Sequence, residues 1–188
     1  MRVFTVQPLE VLEIIKQQGY FTCTKEKSEN YKDFYDAYNW LVKEMIKRKI
    51  YPVEKDTLPL WCWYKYDGKN KLDLRHSGLG IPKEKQVCLE LEVSENQILL
   101  SDYGAWHFVL NNAWYDNSTN EREFDKLHDW FDKLPYKEQN ELRIKSWQKI
   151  FDITPVRNEW SSKGYYVQGT FWVITKSMIV KTKEFIAR

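Results

Sequence analysis

The chain lacks the motifs that mark the well-known catalytic and cofactor-binding folds. It contains no glycine-rich phosphate loop, no GxSxG, no HExxH and no GxGxxG. Its three histidines are scattered, and its three cysteines have no CxxC spacing. The sequence therefore predicts neither a metal site nor a disulfide framework.

The sequence also lacks a strong excess of basic over acidic residues and any long apolar run. The 29 basic and 27 acidic residues leave a net charge of +2, without the strong basic excess of a dedicated phosphate binder. No run approaches 18 apolar residues, and the N-terminus has no apolar core of a signal peptide. We expect a cytoplasmic protein with reduced thiols and no membrane partner.

Aromatic residues are abundant instead, with nine tryptophans, twelve tyrosines and nine phenylalanines. They concentrate in Trp61–Tyr64, around Trp106 and Trp114, and from Tyr165 to Trp172. An indole ring is large, and its N–H needs a partner when it is buried. These clusters form either an aromatic core or a slot for a flat ligand such as a nucleobase or nicotinamide, and the sequence leaves both open.

The first 50 residues predict a strand and two helices. Val3–Gln7 alternates as a strand, Pro8 suits the first position of a helix, and Gly19 suits its end. Apolar residues at helical spacing predict a second helix over Tyr31–Ile46, with Asn30 as its N-cap.

The rest of the chain predicts further strands and helices. Val87–Val93 alternates and predicts a hairpin with Ile98–Leu100 that has one face in solvent. Ser101 and Asp102 cap the helix that follows. Further helices are expected near 121–133 and 136–151, and closing strands near 165–175 and 178–185. The order favours one α+β domain over residues 1–188, with a largely antiparallel sheet and flanking helices.

Two adjacent residues of a polar loop are candidates for anion binding. Arg75 carries the forked guanidinium that clamps phosphate, and His76 adds a titratable imidazole. In the alternative reading, Arg75 pairs with Asp73 or Glu84 and only orders the loop.

Three more candidates lie at the ends of predicted elements. Asp102 and Trp106 lie where a strand meets a helix, so Trp106 could face a ligand while Asp102 caps the helix. Gln168 begins an apolar strand. Its amide could bond a ribose hydroxyl or a ligand amide, or only the backbone.

Four segments together resemble a small bacterial domain family catalogued as of unknown function. They are Thr5–Pro8 with Gly19, Leu60–Tyr64, Leu100–Asp102 with Trp106-His107, and Val167–Trp172. More distantly, the chain resembles the ADP-ribosyltransferase superfamily, including its toxin branch that acts on nucleic acids. In that superfamily a first strand carries a His or Arg that contacts NAD and is followed by a helix ending in Gly. A central strand offers an aromatic that stacks on nicotinamide, and a late strand starts with a Glu or Gln.

The resemblance implies NAD as a substrate and assigns roles in order along the chain. Thr5 falls where the His or Arg is expected, Trp63 or Tyr64 could stack on nicotinamide, and Gln168 falls near the acidic position. Thr5 has no charge and Gln168 is no base, so Arg75 would supply the cation and Asp102 the carboxylate. The remaining expected NAD contacts are Gln7, His76 and Trp106.

We therefore expect an NAD-dependent ADP-ribosyltransferase-like protein, a toxin or phage-defence effector that modifies nucleic acid or protein. The second hypothesis is a non-catalytic nucleotide or nucleic-acid binding module that stacks bases on exposed rings, aided by the basic patches 43–49 and 69–75. The third is a protein-interaction partner with a tryptophan-rich interface.

Overall fold

The computed structural model describes residues 1–28, 31–116 and 118–188. The strands are β1 (Arg2–Pro8), β2 (Tyr20–Phe21), β3 (Cys23–Thr24), β4 (Thr57–Leu58), β5 (Leu60–Lys65), β6 (Lys85–Glu92), β7 (Leu99–Asp102), β8 (Val167–Phe171), β9 (Ile174–Thr175) and β10 (Ile179–Ile186). The α-helices are α1 (Leu9–Gln18), α2 (Tyr35–Lys47), α3 (Tyr103–Leu110), α4 (Glu121–Phe131) and α5 (Tyr136–Ser146). A 3-10 turn, Trp147–Phe151, follows α5.

Six of these strands form one sheet in the order β10-β6-β1-β5-β8-β7, and every neighbouring pair is antiparallel. This confirms the predicted single α+β domain with a largely antiparallel sheet and flanking helices. β1 pairs with β6 over seven residues but with β5 only where Phe4 faces Trp63. The ladder between β1 and β5 is therefore shorter than the ladder between β1 and β6.

The predicted hairpin of β6 and β7 is wrong. β6 lies between β10 and β1, whereas β7 pairs only with β8 at the opposite edge of the sheet. The expected solvent-exposed face of β6 is correct only at its end, because Gln86 and Cys88 are buried, Glu90 is half-buried and Glu92 is exposed. Side chains cover both faces of this strand, and alternation alone could not reveal that.

The two faces of the sheet are covered differently. α1 covers one face, where Val11, Leu12 and Ile15 pack on strand residues such as Val3 and Leu89. We call this the α1 face. The opposite face is covered by α2, α3 and the 147–151 turn over the β7 half, and by residues 66–84 over the β6 half.

Local rules account for three of the helix ends. Gly19 ends α1 in the left-handed region at φ 89°, and its N–H donates to the Ile15 carbonyl. Asp102 caps α3 by accepting from the Ala105 N–H at 2.8 Å. Asn120 caps α4 in the same way through the Glu123 N–H. Asn30, predicted to cap the second helix, lies outside the described residues.

Within the described part of the chain, no helix is both long and apolar enough to cross a lipid bilayer.

Candidate functional site

A row of side chains crosses the face opposite α1 where β7, β8, β5 and β1 lie side by side. Ser101 faces Gln168, Gln168 faces Trp63, and Trp63 faces Phe4. Residues directly opposite in antiparallel strands project to the same side, so these side chains are neighbours on one surface. We call Ser101, Gln168 and Trp63 the Gln168 site.

Two polar atoms of this site are buried without a partner. Gln168 is 6% exposed and Ser101 is 1% exposed. Neither Gln168 Nε2 nor Ser101 Oγ has a hydrogen-bond partner among the described residues. A buried donor without a partner costs about 1–3 kcal/mol, so nearly all such groups in native proteins are satisfied. Gln168 Nε2 and Ser101 Oγ therefore have hydrogen-bonding capacity that the described residues leave unused.

Aromatic rings surround this polar pair. The Trp63 ring centroid lies 5.1 Å from that of Tyr66 and 5.0 Å from that of Tyr103. Tyr66 in turn contacts Tyr166 at 5.2 Å. Tyr103 is exposed, and the other three are half-buried. These rings offer flat apolar surface at the edge of the site, which is what a planar ligand needs.

Thr5, Gln7 and Tyr64 do not join this surface. Thr5 pairs with Leu89, so it lies on the α1 face, opposite the side chains of Phe4 and Trp63. Its hydroxyl donates to the Trp61 carbonyl at 2.8 Å and accepts from Gln7 Nε2 at 2.7 Å. Tyr64 packs against the cluster beneath α1. Of the residues proposed to stack on nicotinamide, the fold brings Trp63 and not Tyr64 next to Gln168.

Arg75 and His76 lie in the loop that covers the β6 half of the same face. The His76 ring contacts Tyr66 at 5.5 Å, so it reaches the rim of the aromatic group. The Arg75 side chain is 79% exposed and forms a bidentate pair with Asp73. Hydrogen bonds from Arg75 hold the pKa of Asp73 well below its usual range. This is the loop-ordering pairing that the sequence left open as the alternative.

Trp106 and Asp102 are both buried, and their contacts are with other parts of the fold. The Trp106 ring is buried, 5.1 Å from Trp61, in the cluster shared with α2. Asp102 is buried, and its two carboxylate oxygens accept from the backbone N–H groups of Ala105 and Gly164, at 2.8 and 2.7 Å. Asp102 thus caps α3 and also anchors the loop that leads into β8.

The predicted basic patches are partly neutralised by neighbouring acids. Lys47 and Arg48 both pair with the buried Glu44, at 2.6 Å each. Arg75 is held by Asp73. Fewer basic side chains of these two patches are therefore available to bind phosphate than the sequence predicts.

Sequence reasoning missed Ser101 as the neighbour of Gln168 and Tyr103 as a contact of Trp63. Both were visible only as residues next to the Asp102 cap, because the sequence carries no sign that β7 pairs with β8. It also missed a cavity of about 650 Å³ lined by Asp102, Lys149 and Trp160 among others. No motif marks it, since its lining comes from four separated segments.

Fold and site together define an α+β protein whose antiparallel sheet carries an amide nitrogen and a hydroxyl that are buried without partners among the described residues, beside aromatic rings. The chain belongs to the family described as a domain of unknown function, DUF3841, whose model matches residues 2–180. Neither the curated proteins nor the solved structures include a match to it.

Proposed function

We propose that this protein binds NAD at the Gln168 site and acts as an ADP-ribosyltransferase-like protein on a nucleic acid or protein target. The buried amide nitrogen of Gln168, which has no partner among the described residues and lies beside the Ser101 hydroxyl, carries the proposal. Nicotinamide joins a flat ring to a carboxamide that both donates and accepts hydrogen bonds. The carboxamide complements Gln168 and Ser101, and the ring complements the indole of Trp63.

The order of the strands supports this choice of ligand. In the ADP-ribosyltransferase resemblance, the NAD contacts come from the first strand, a central strand and a late strand. Here β1, β5 and β8 are immediate neighbours in the sheet, and α1 follows β1 and ends at Gly19. Phe4, Trp63 and Gln168, one residue from each of these strands, therefore project to the same face of the sheet, whereas Thr5 projects to the α1 face.

The reaction breaks the bond between the ribose C1 and the nicotinamide nitrogen, and the electron pair leaves with nicotinamide. The acceptor on the target then bonds to C1 and releases its proton to water. Negative charge stabilises the oxocarbenium-like transition state. Gln168 is neutral, and its sheet partners Ser101 and Trp63 are not acidic. The proposal therefore rests first on NAD binding, and transfer is its second step.

The second candidate function is a nucleotide-binding module without catalysis. The amide at position 168 favours it, because an amide binds a ligand but cannot act as a base. In this case the Gln168 site holds the nucleotide and leaves the glycosidic bond intact.

The cellular setting is part of the same proposal. We place the protein in the cytoplasm of a bacterium, as a toxin or phage-defence effector. Its three cysteines are thiols and not disulfides, which suits a reducing compartment.

Titration calorimetry with NAD and with ADP-ribose, which lacks nicotinamide, tests the binding step. We expect NAD to bind about tenfold tighter, since nicotinamide satisfies buried groups that ADP-ribose leaves unpaired. Gln168→Ala should abolish this difference. Gln17→Ala, an exposed glutamine on α1, is the matched control and should retain it.

Labelled NAD incubated with cell lysate separates the two candidate functions. Transfer of label that is lost in Gln168→Ala supports the transferase. NAD binding without label transfer or nicotinamide release supports the binding module. Equal affinity for NAD and ADP-ribose would overturn the role of Gln168 in holding nicotinamide, and absence of binding by either nucleotide would overturn both candidate functions. A partner retained in light-scattering chromatography, in the absence of nucleotide binding, would favour the protein-interaction alternative.

A further inference from the structure

A second candidate site lies beyond the end of β7. A cavity of about 650 Å³ opens between the start of α3, the segment around Tyr115, the start of α4 and the loop that leads into β8. Ligand pockets in proteins span roughly 300–1,000 Å³, so the volume suits a small molecule. We call it the Lys149 cavity, after the lysine in its wall.

The carboxylates in its wall are already engaged. Asp152 pairs with Lys163 at 2.7 Å, and Asp116 contacts His128 Nε2 at 3.1 Å. Asp116 also accepts from the Ser118 N–H, and Asp102 accepts from two backbone N–H groups. These acids have hydrogen-bond partners without any ligand.

Lys149 is a cation in the wall that forms no ion pair with any of the described residues. It is half-buried, and its Nζ donates to the Tyr115 carbonyl at 3.0 Å. Its ammonium group has three donors, so capacity remains after that bond. Burial lowers its pKa, although the charge of Asp116 opposes this. Asp116 acts on Lys149 from beyond ion-pair distance, so an anion in direct contact with Nζ would further offset the cost of burying this cation.

Aromatic rings line the same cavity in two pairs. The Phe108 and Tyr115 rings lie 4.7 Å apart at 31°, and the Phe124 and Trp160 rings lie 6.2 Å apart. Trp160 is 41% exposed, so its ring is open to a ligand. Hydroxyl and amide groups of Ser161, Ser162 and Asn158 complete the lining.

We propose that the Lys149 cavity binds a small anion that carries one planar ring, of the size of a nucleoside monophosphate. The anionic group lies at Lys149 Nζ, and the ring stacks against the aromatic lining that includes Trp160. The neighbouring hydroxyls bond the sugar. This site is distinct from the Gln168 site, and the inference does not depend on NAD binding there.

The test is titration calorimetry on the full chain with three probes: AMP, adenosine, which lacks the anion, and ribose 5-phosphate, which lacks the ring. We expect AMP to bind about tenfold tighter than either fragment, because only AMP uses both the cation and the rings. Lys149→Met keeps most of the side-chain length without the charge, and should reduce AMP to the affinity of adenosine. Lys145→Met, exposed at the end of α5, is the matched control and should change nothing.

Trp160→Ala is the second variant, at a partly exposed position where folding is not at risk. It should reduce AMP to the affinity of ribose 5-phosphate. Failure of AMP to bind, or equal affinities for AMP and adenosine, would overturn the inference. So would AMP binding that is lost in Gln168→Ala and kept in Lys149→Met. That last result would assign AMP to the Gln168 site, and would leave the proposal for that site standing.

Discussion

Asp102 illustrates how one side chain can have two structural roles. Its position before α3 predicts a helix cap, and its Oδ1 does accept from the Ala105 N–H. Its Oδ2 accepts from the Gly164 N–H, 62 residues further along the chain. The carboxylate thus joins the start of α3 to the loop before β8, which forms one wall of the Lys149 cavity.

We expect Asp102→Ala to lower the free energy of unfolding by about 2–3 kcal/mol, because it removes a cap and leaves a second buried N–H without a partner. Asp102→Asn should cost less, since its amide oxygen can still accept one of the two bonds. Chemical denaturation measures both effects. Asp129→Ala on the exposed side of α4 is the control. Equal stability of Asp102→Ala and this control would contradict the dual role.

Gly19 and Gly104 both lie at an end of a helix, but they should respond oppositely to substitution by alanine. Gly19 ends α1 at φ 89°, where no atom lies within 4 Å of an added Cβ. Its requirement is therefore purely one of backbone conformation. Gly104 lies in the first turn of α3 without a positive φ, and an added Cβ meets only Asp102 Oδ1, at 3.4 Å.

The same substitution at these two positions should therefore have opposite signs. Gly19→Ala should lower the free energy of unfolding by about 1 kcal/mol, because alanine resists the left-handed conformation. Gly104→Ala should raise it by a few tenths up to about 1 kcal/mol, through helix propensity. Thermal and urea unfolding of the two variants, side by side, measure the difference. A loss of stability in both would mean that Gly104 has a packing role.

Across the whole molecule, carboxylates held below their usual pKa tie stability to pH. Hydrogen bonds lower the pKa of Asp152 to about 2, with Lys163 as the main donor. Burial alone raises the pKa of Glu44, but bonds from Lys47, Arg48 and Gln148 outweigh it, and the net shift is downward. A lowered pKa in the folded state stabilises the fold above the unfolded pKa, and the gain is lost as the pH falls through the folded value.

Glu44 offers the sharpest test, because it is only 2% exposed. At pH 7, Glu44→Gln should reduce the free energy of unfolding by about 1–3 kcal/mol, since Lys47 and Arg48 lose their charged partner. As the pH falls through the lowered pKa of Glu44, the wild-type carboxylate itself protonates, so the difference should shrink. Guanidinium unfolding over a series of falling pH values measures it, with Glu138→Gln on exposed α5 as the control. A difference that does not change with pH would show that the charge of Glu44 is not the stabilising feature.

The ends of several helices and the α+β class depend on residues that are close together in the chain, so the sequence alone predicts them. Pro8 and Gly19 bracket α1, Asp102 caps α3, and the mixture of periods two and 3.6 predicts an α+β domain. Each of these features depends on interactions within one or two turns of backbone, so the local sequence is sufficient to predict it.

Which strands pair depends on contacts between distant segments that form only in the folded protein. β6 and β7 read as a hairpin, yet they lie on opposite halves of the sheet, and that placement brings Ser101 beside Gln168. The four segments around Lys149 likewise meet only in the folded chain. Alternation reveals which residues share a face of a strand but not which strand lies alongside, because pairing depends on burial and register between distant segments.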